Sequence, residues 1–182
     1  MKRKEITARA NAMLNEGVAK QQVFETLTGE GGKPKTVAYV IASHLDPRLR
    51  EASGGHRIAV IALAYIQLVV ALLIVFALGL TLPAAFTIIM VLIVGSIGGA
   101  FVWGFTKDKA SCYNVYIYLG IVQCGRGLLG IAADPVAVIA GLAISFALIA
   151  YLLFVRKRLF PDFDFLGPKR IKGEYVFVEP AG

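Results

Sequence analysis

Few side chains that could do chemistry lie in the apolar part of this sequence. Arg126 is the one Lys or Arg in region 110–155, and it stands between two glycines. Gln123 precedes it by one turn if this region is helical. Ionisable groups at membrane depth commonly mark a path for a substrate or ion. A Gln123/Arg126 face would therefore suit the passage of an anion.

The remaining polar candidates do not form a recognised catalytic or metal site. His44 and His56 flank the segment before the first apolar stretch, where a helix-end or interfacial position is expected. Cys112 and Cys124 would lie ~18 Å apart on one helix, too far for a disulfide. No P-loop, HExxH motif or nucleophile–base spacing is present. We expect no enzymatic activity, no metal and no cofactor.

Hydropathy defines the elements that must carry these residues. From Ile58 to Thr106, 49 residues pass without one Asp, Glu, Lys or Arg. One helix of that length would measure ~74 Å, more than twice the hydrocarbon core of a bilayer. Breaks at "GLTLP", "TKDK" and "AADP" therefore predict four transmembrane helices. Their approximate bounds are 58–80, 84–105, 110–131 and 136–155.

Basic residues indicate the orientation of these helices. Of the 19 Lys and Arg residues, 18 precede the first predicted span, lie in the "TKDK" turn or follow the fourth span. Only Arg126 is elsewhere. The positive-inside rule then predicts that both termini are cytoplasmic, most simply in a bacterial cytoplasmic (inner) membrane. Anionic lipid is a further partner for the flanking basic residues.

The predicted fold class is an all-α integral membrane protein with three parts. Residues 1–57 form a cytoplasmic head, 58–155 a four-helix transmembrane bundle, and 156–182 a short cytoplasmic aromatic tail. Apolar spacing in the head predicts three short helices, the third from Thr36 to Leu45. In the tail, "KRI" and "EYVFV" flank "KG", a pattern that fits a β-hairpin, strand addition to a partner, or packing on the head.

The head also has a loose similarity to a DNA-binding motif. "EGVAKQQVFETL" followed by "KTVAYVIASH" resembles a helix-turn-helix. Its connecting loop is long, and the would-be reading helix has no Arg or Lys after Lys35. Contacts to bases and phosphates need such groups, so nucleic acid is not an expected partner.

Small residues predict how the transmembrane helices pack. In lipid, helices associate where small side chains allow close approach, because apolar burial gives no net drive there. Such residues recur at helical spacing in the second, third and fourth spans. The predicted packing face comprises Gly95, Gly99, Gly120, Gln123, Gly127, Gly141 and Ser145.

Topology also gives Arg126 a structural interpretation. It would lie ~7 Å below the outer end of the third span, within reach of the headgroups for a long side chain. Asp134 is the acidic residue of the adjacent turn, so we predict an outer-leaflet pair between Arg126 and Asp134. Anchoring and a functional charge both remain open from the sequence.

These features predict a non-enzymatic membrane protein that acts through protein–protein interaction. An immunity protein against a membrane-acting toxin and an accessory subunit of a membrane complex are two forms of this hypothesis. The expected partner is another protein or a second copy of the chain. The alternative is a small oligomeric transporter or channel that uses the Gln123/Arg126 face.

Overall fold

The computed structural model describes residues 1–128, 134–165 and 167–178, and these are mostly helical. The described residues form eight helices: α1 Arg3–Asn15, α2 Lys20–Gly29, α3 Pro34–Ser43, α4 Pro47–Ala52, α5 Gly54–Gly79, α6 Ala84–Thr106, α7 Ala110–Gly127 and α8 Pro135–Leu159. Four short strands follow: β1 Phe163–Asp164, β2 Gly167–Pro168, β3 Arg170–Ile171 and β4 Glu174–Tyr175.

The chain divides into two compact units. Met1–Glu51 and Arg156–Gly182 make up one, here called the head–tail unit. Ala52–Val155 make up the other, here called the membrane unit. Residues that the sequence separates by the whole apolar region therefore belong to the same unit.

Three helices of the membrane unit account for its apolar character. Among the described residues, α5, α6 and α8 are long and apolar enough to cross a membrane. At most 17% of the apolar window of each is buried within the protein. Exposed apolar surface on that scale needs lipid around it, which supports a membrane-embedded protein.

The third predicted span differs from the other three. Helix α7 is not one of the three candidate spans, since Asn114, Gln123 and Arg126 lower its hydropathy. It begins at Ala110 as predicted, and residues 129–133 of the predicted span lie outside the described part of the chain. A fourth crossing stays a prediction.

Helix bounds in the membrane unit differ from the predicted spans mainly at the basic ends. Helix α5 begins at Gly54, before the predicted start at residue 58. Helix α8 continues through the basic residues Arg156–Arg158 to Leu159. Hydropathy detects the apolar length of a helix, whereas the backbone hydrogen bonds of a helix continue past the last apolar residue.

Helices α1, α2 and α3 pack around a small apolar core. Side chains that are almost fully buried come from each of these helices: Ile6, Ala10, Val23, Leu27, Val37, Val40 and Ile41. Phe177 of the tail packs against the same cluster. Pro34 starts α3, a position where the missing N–H of proline has no cost. The third head helix therefore runs from Pro34 to Ser43 and not to Leu45.

Helix α4 was not predicted from the sequence. The third predicted helix ends at Leu45, just before "DP" (Asp46 and Pro47), and Pro47 begins a new helix. The Asp46 carboxylate accepts a hydrogen bond from the Arg48 amide at 2.8 Å. That bond satisfies a free amide of the first turn, so the same dipeptide that stops one helix starts the next.

A buried ion pair ties α2 to the tail. Lys20 Nζ lies 2.6 Å from Asp162 Oδ2, and the side chains are only 9% and 2% exposed. Lys20 also donates to the Val178 carbonyl at 3.0 Å, and the Val178 amide donates to Asp162 Oδ1 at 2.5 Å. The two charges and the last described residue thus share one closed set of hydrogen bonds.

Two small hairpins complete the tail. Strand β1 pairs with β2, and β3 pairs with β4 in antiparallel register. The turn between β3 and β4 consists of Lys172 and Gly173, both with positive φ. That conformation matches the twist of a two-residue hairpin and favours glycine.

The tail also packs on the head. Tyr175 and Phe177 contact Phe24 of α2, at ring-centroid distances of 5.5 and 5.6 Å. The predicted hairpin and the predicted packing on the head are both present.

Candidate functional site

Glycines allow close contacts between helices of the membrane unit. On α6, a Cβ at Gly98 would lie 2.5 Å from the Leu68 methyl carbon of α5. On α7, a Cβ at Gly120 would lie 3.2 Å from Ile149 of α8. At both glycines, a bulky side chain of a neighbouring helix occupies the space beside the backbone, so the position is here called filled. Such contacts are expected where helices approach closely in lipid.

A second set of glycines has no close neighbour among the described residues of other helices. A Cβ at Gly95, Gly99 or Gly141 would meet no described atom within 4 Å beyond its own helix. Gly95 and Gly99 lie on α6 one turn apart, directly beside the filled Gly98. The face of α6 formed by Gly95 and Gly99 is here called the open glycine face, because an added Cβ at either position meets no described atom within 4 Å.

A cavity of about 550 Å³ lies within the membrane unit. All four long helices line it, with α5 and α6 on one side and α7 and α8 contributing the rest. Its walls include Ile66 and Ile97, which are 59% and 54% exposed. A cavity whose wall residues are also on the outer surface opens sideways toward the surroundings of the bundle.

Four polar side chains interrupt the apolar lining. The Tyr116 hydroxyl donates a hydrogen bond to Gln67 Oε1 across the space between α7 and α5. Ser145 donates to the Gly141 carbonyl of its own helix at 2.8 Å. Gln123 also lines the cavity, and no other described residue forms a hydrogen bond with its amide. The Gln123 side chain is exposed.

Aromatic contacts hold Tyr116 in place. Its ring lies edge-on to Phe101, with centroids 5.2 Å apart, and 5.5 Å from Phe105. Phe105 packs in turn on the buried Tyr113 at 4.9 Å. Such pairs add directional packing to the area that they bury. The Tyr116–Gln67 hydrogen bond is thus supported by a fixed aromatic cluster between α6 and α7.

Polar contacts gather at one end of the membrane unit. Arg57 pairs with Asp108 of the turn between α6 and α7 and donates to the Thr106 carbonyl at 3.2 Å. His56 Nδ1 lies 3.1 Å from the Tyr151 hydroxyl. From the sequence, only the basic residues of this turn received a predicted role, and Asp108 received none. The signal was present, because Asp108 is the one carboxylate in a long apolar stretch.

The predicted pair between Arg126 and Asp134 remains untested. Arg126 is exposed near the end of α7. Asp134 Oδ1 accepts a hydrogen bond from the Ala137 amide at 3.0 Å and so stabilises the first turn of α8. Residues 129–133, which join the two, lie outside the described part of the chain. The pair stays a prediction, and the structure gives Asp134 a helix-end role that the sequence analysis missed.

The residues of the predicted packing face lie in three different environments. Gly120, Gln123 and Ser145 line the cavity. Gly127 lies near Leu142, at 3.8 Å from a Cβ placed on it. Gly95, Gly99 and Gly141 have open space beside them. Spacing identified these small residues but could not assign the neighbour of each, which depends on how the helices are rotated.

Metal ligands and relatives give no further indication. The described residues contain no group of three or more His, Cys, Asp or Glu side chains that could hold a metal ion. Cys112 and Cys124 are both free. No protein-family model matches the chain, and no curated protein or solved structure matches it either.

Proposed function

We propose that this chain is a four-span integral membrane protein that acts by binding another protein within the membrane. Its predicted setting is a bacterial-type cytoplasmic membrane with both termini inside. The number of membrane crossings, even or odd, bears on the fourth span. If α7 did not cross, α8 would begin on the side where α6 ends and would carry Arg156–Arg158 to the opposite face.

Charge argues against that arrangement. Six Lys and Arg residues follow Val155, and ten precede Ile58. The positive-inside rule favours placing both groups on the cytoplasmic side, which requires an even number of crossings. Single cysteines in place of Thr81 and Lys107, in a background without the two native cysteines, test this. An impermeant thiol reagent added to intact cells is expected to label position 81 but not position 107.

The observation that carries the binding proposal is the open glycine face. At Gly98 and Gly120 this chain places a neighbouring side chain against a helix glycine. At Gly95 and Gly99 the same close approach is possible, yet no described residue uses it. Because helix glycines in lipid are suited to close backbone contact, a transmembrane helix of another chain is the partner that this surface fits.

Two biological forms fit such a partner. One is an immunity protein that binds a membrane-acting toxin and prevents it from inserting or assembling. The other is an accessory subunit that occupies one position in a larger membrane complex. A second copy of the chain would use the same surface. In each form the protein acts by occupancy and needs no reactive group.

Affinity purification from mild detergent tests the proposal. We expect the wild-type chain to retain a partner chain in fixed ratio, and the Gly95→Ile/Gly99→Ile variant to lose it. Ala85→Ile is the control, because Ala85 is exposed on the same helix and also receives an isoleucine side chain. Recovery of the wild-type chain as a lone monomer, or equal partner loss in all variants, would contradict the proposal.

A second candidate is a small oligomeric transporter or channel that uses the Gln123/Arg126 face. Gln123 lines the cavity, and Arg126 lies nearly one turn further along α7. An oligomer would bring several such pairs together. Anion flux into liposomes, measured with wild type and Arg126→Ala, separates this candidate. Flux that disappears with the arginine supports it, and absence of flux from the wild type removes it.

A further inference from the structure

The cavity of the membrane unit has the properties of a ligand site independent of the open glycine face. Its volume, about 550 Å³, is well inside the range of roughly 300–1,000 Å³ that is usual for small-molecule sites. Its lining also follows the usual pattern, mostly apolar with a few convergent polar groups. The site lies wholly within one unit, among α5, α6, α7 and α8.

Size favours a small molecule over a transmembrane helix as the occupant. A helix needs about five to six turns to cross the hydrocarbon core. A cavity of about 550 Å³ matches a small-molecule site and does not extend over the length of a spanning helix.

The charge of the described lining residues limits which class of ligand the cavity can bind. The described residues that line the cavity include no Asp, Glu, Lys, Arg or His. A charged ligand would lose its hydration there and find no counter-ion, which is costly in a medium of low polarity. An uncharged ligand has no such cost. The open side of the cavity faces apolar surroundings, which a lipid-soluble molecule can cross.

The hydrogen-bonding groups of the cavity wall favour a ligand with a polar head group. Gln67 and Tyr116 are bonded to each other, which fixes the orientation of the Gln67 amide and leaves its NH₂ group as a donor. Gln123 offers a complete amide, a donor and an acceptor, that meets no described partner. An unpaired amide in apolar surroundings is unfavourable, so a ligand with a hydroxyl or carbonyl head would be bound there in preference to an alkane.

We propose that this cavity binds a neutral lipophilic molecule with a hydroxyl or carbonyl head, and that Gln123 and Gln67 hydrogen-bond the head. The apolar chain of the ligand lies against α5, α6 and α8. This inference requires embedding in lipid but does not depend on any partner at the open glycine face. Failure of either proposal leaves the other intact.

Photolabelling of the full chain in phosphatidylcholine nanodiscs tests the inference. The probe is a long-chain alcohol with a diazirine in its alkyl chain, and the comparison probe is the fatty acid anion of the same chain. We expect the alcohol to label peptides of the cavity wall and to be displaced by excess unlabelled alcohol. The anion is expected to label the same peptides several-fold less.

Two variants locate the labelling. Ala71→Phe fills the cavity and is expected to abolish the displaceable labelling, whereas Ala77→Phe places the same side chain at an exposed position outside the lining. Gln123→Leu keeps the size of an exposed side chain but removes its amide. It is expected to weaken alcohol binding roughly threefold to tenfold, the effect of one or two lost hydrogen bonds.

Three results would overturn the inference. Equal labelling by the alcohol and the anion would show that the head is not recognised. Labelling that excess alcohol does not displace would indicate bulk lipid in the cavity. Unchanged affinity in both Ala71→Phe and Gln123→Leu would place the ligand elsewhere. Because Gln123→Leu exchanges an exposed polar group for an apolar one, that variant remains informative even if Ala71→Phe does not fold.

Discussion

The helices of the head–tail unit bury an apolar core, whereas most large apolar side chains of α5, α6 and α8 in the membrane unit are exposed. Leu27 of α2 is 0% exposed, and Leu92 of α6 is 63% exposed. The two units also differ in their charged side chains. Lys20, Asp162 and Arg156 are buried in the head–tail unit, while the apolar windows of α5, α6 and α8 contain few charges.

The difference shows that the two units are stabilised by different forces. Burial of apolar surface from water stabilises the head–tail unit, at roughly 25 cal/mol per Å². The membrane unit gains little from burial, because lipid is as apolar as its own side chains. Its cohesion comes from close contacts at glycines and from hydrogen bonds such as Tyr116–Gln67. Equivalent substitutions should therefore have unequal effects in the two units.

The largest expected effect comes from breaking the buried ion pair. Asp162→Ala leaves the Lys20 ammonium buried without its carboxylate and removes the acceptor of the Val178 amide. We expect a loss of about 3–5 kcal/mol in the stability of the head–tail unit. Hydrogen exchange at the amides of α2 measures it, since those amides report the opening of that unit.

The exposed pair of Arg9 and Glu30 is the matched control. Its side chains are 54% and 36% exposed, so Arg9→Ala is expected to cost less than about 1 kcal/mol. The double variant Lys20→Met/Asp162→Leu should recover most of the stability, because it leaves no unpaired buried charge. Similar exchange rates in Asp162→Ala and Arg9→Ala would show that the buried pair contributes no special stability.

The same leucine-to-alanine substitution in each unit compares the two units directly. Leu27→Ala removes a fully buried side chain from the core of the head, and we expect it to cost about 2–5 kcal/mol. Leu92→Ala makes the same change at an exposed position of α6, where a loss below about 0.5 kcal/mol is expected. Denaturation of the purified protein in detergent gives both values. Equal losses would mean that α6 packs inside a protein interior instead of against lipid.

Two neighbouring glycines of α6 separate internal packing from the open glycine face. Gly98→Ile would press against Leu68, and we expect it to destabilise the membrane unit by about 1–3 kcal/mol through overpacking. Gly95→Ile meets open space and should leave the thermal midpoint of the monomer within error. Thermal unfolding in detergent measures both. A larger loss at Gly95 than at Gly98 would reverse the assignment of the two faces.

The smallest expected effect is a pH dependence confined to the head–tail unit. Burial lowers the pKa of His44 from its ordinary value of 6.5; Lys20 adds to this shift and Asp46 opposes it. The folded unit thus binds fewer protons than the unfolded chain. Its stability is therefore complete above pH 6.5 and decreases as the pH falls through 6.5 toward the lower folded pKa.

Replacement of the histidine isolates that contribution. As the pH falls from about 7.5 to about 5.5, the protection of α3 amides relative to an unstructured amide at the same pH is expected to decrease in the wild type. His44→Asn should show a smaller decrease in protection, since its side chain keeps a polar partner for Asn11 but does not titrate. An identical pH dependence in both proteins would show that His44 does not contribute to it.

Much of the fold could be predicted because hydropathy and turn residues act locally. The starts of α6 and α7, the free cysteines and the hairpin at Lys172–Gly173 follow from such signals. The contacts of the tail were harder to predict. Nothing in the sequence near Asp162 indicates a partner that precedes it by 142 residues, so the Lys20–Asp162 pair was missed.

The candidate site was only partly predictable for a related reason. Of the four polar side chains that line the cavity, Gln123 and Ser145 belong to the predicted packing face, whereas Gln67 and Tyr116 were not among the predicted site residues. Their meeting at one cavity depends on the rotation of four helices about their axes, which periodicity does not determine. The same limit applies to the glycines. Gly95, Gly98 and Gly99 lie within five residues of one helix, and their sequence surroundings do not tell them apart. Only the structure distinguishes the filled position, Gly98, from the two open ones.

The central claim is that the open glycine face of α6 contacts another protein chain in the membrane. A photo-crosslinking amino acid at position 99, introduced in living cells, tests it most directly. We expect a discrete protein adduct, whether with a different membrane protein or with a second copy. The same amino acid at position 85 is expected to give none. Absence of any protein adduct from position 99 in folded, membrane-inserted protein would contradict the claim.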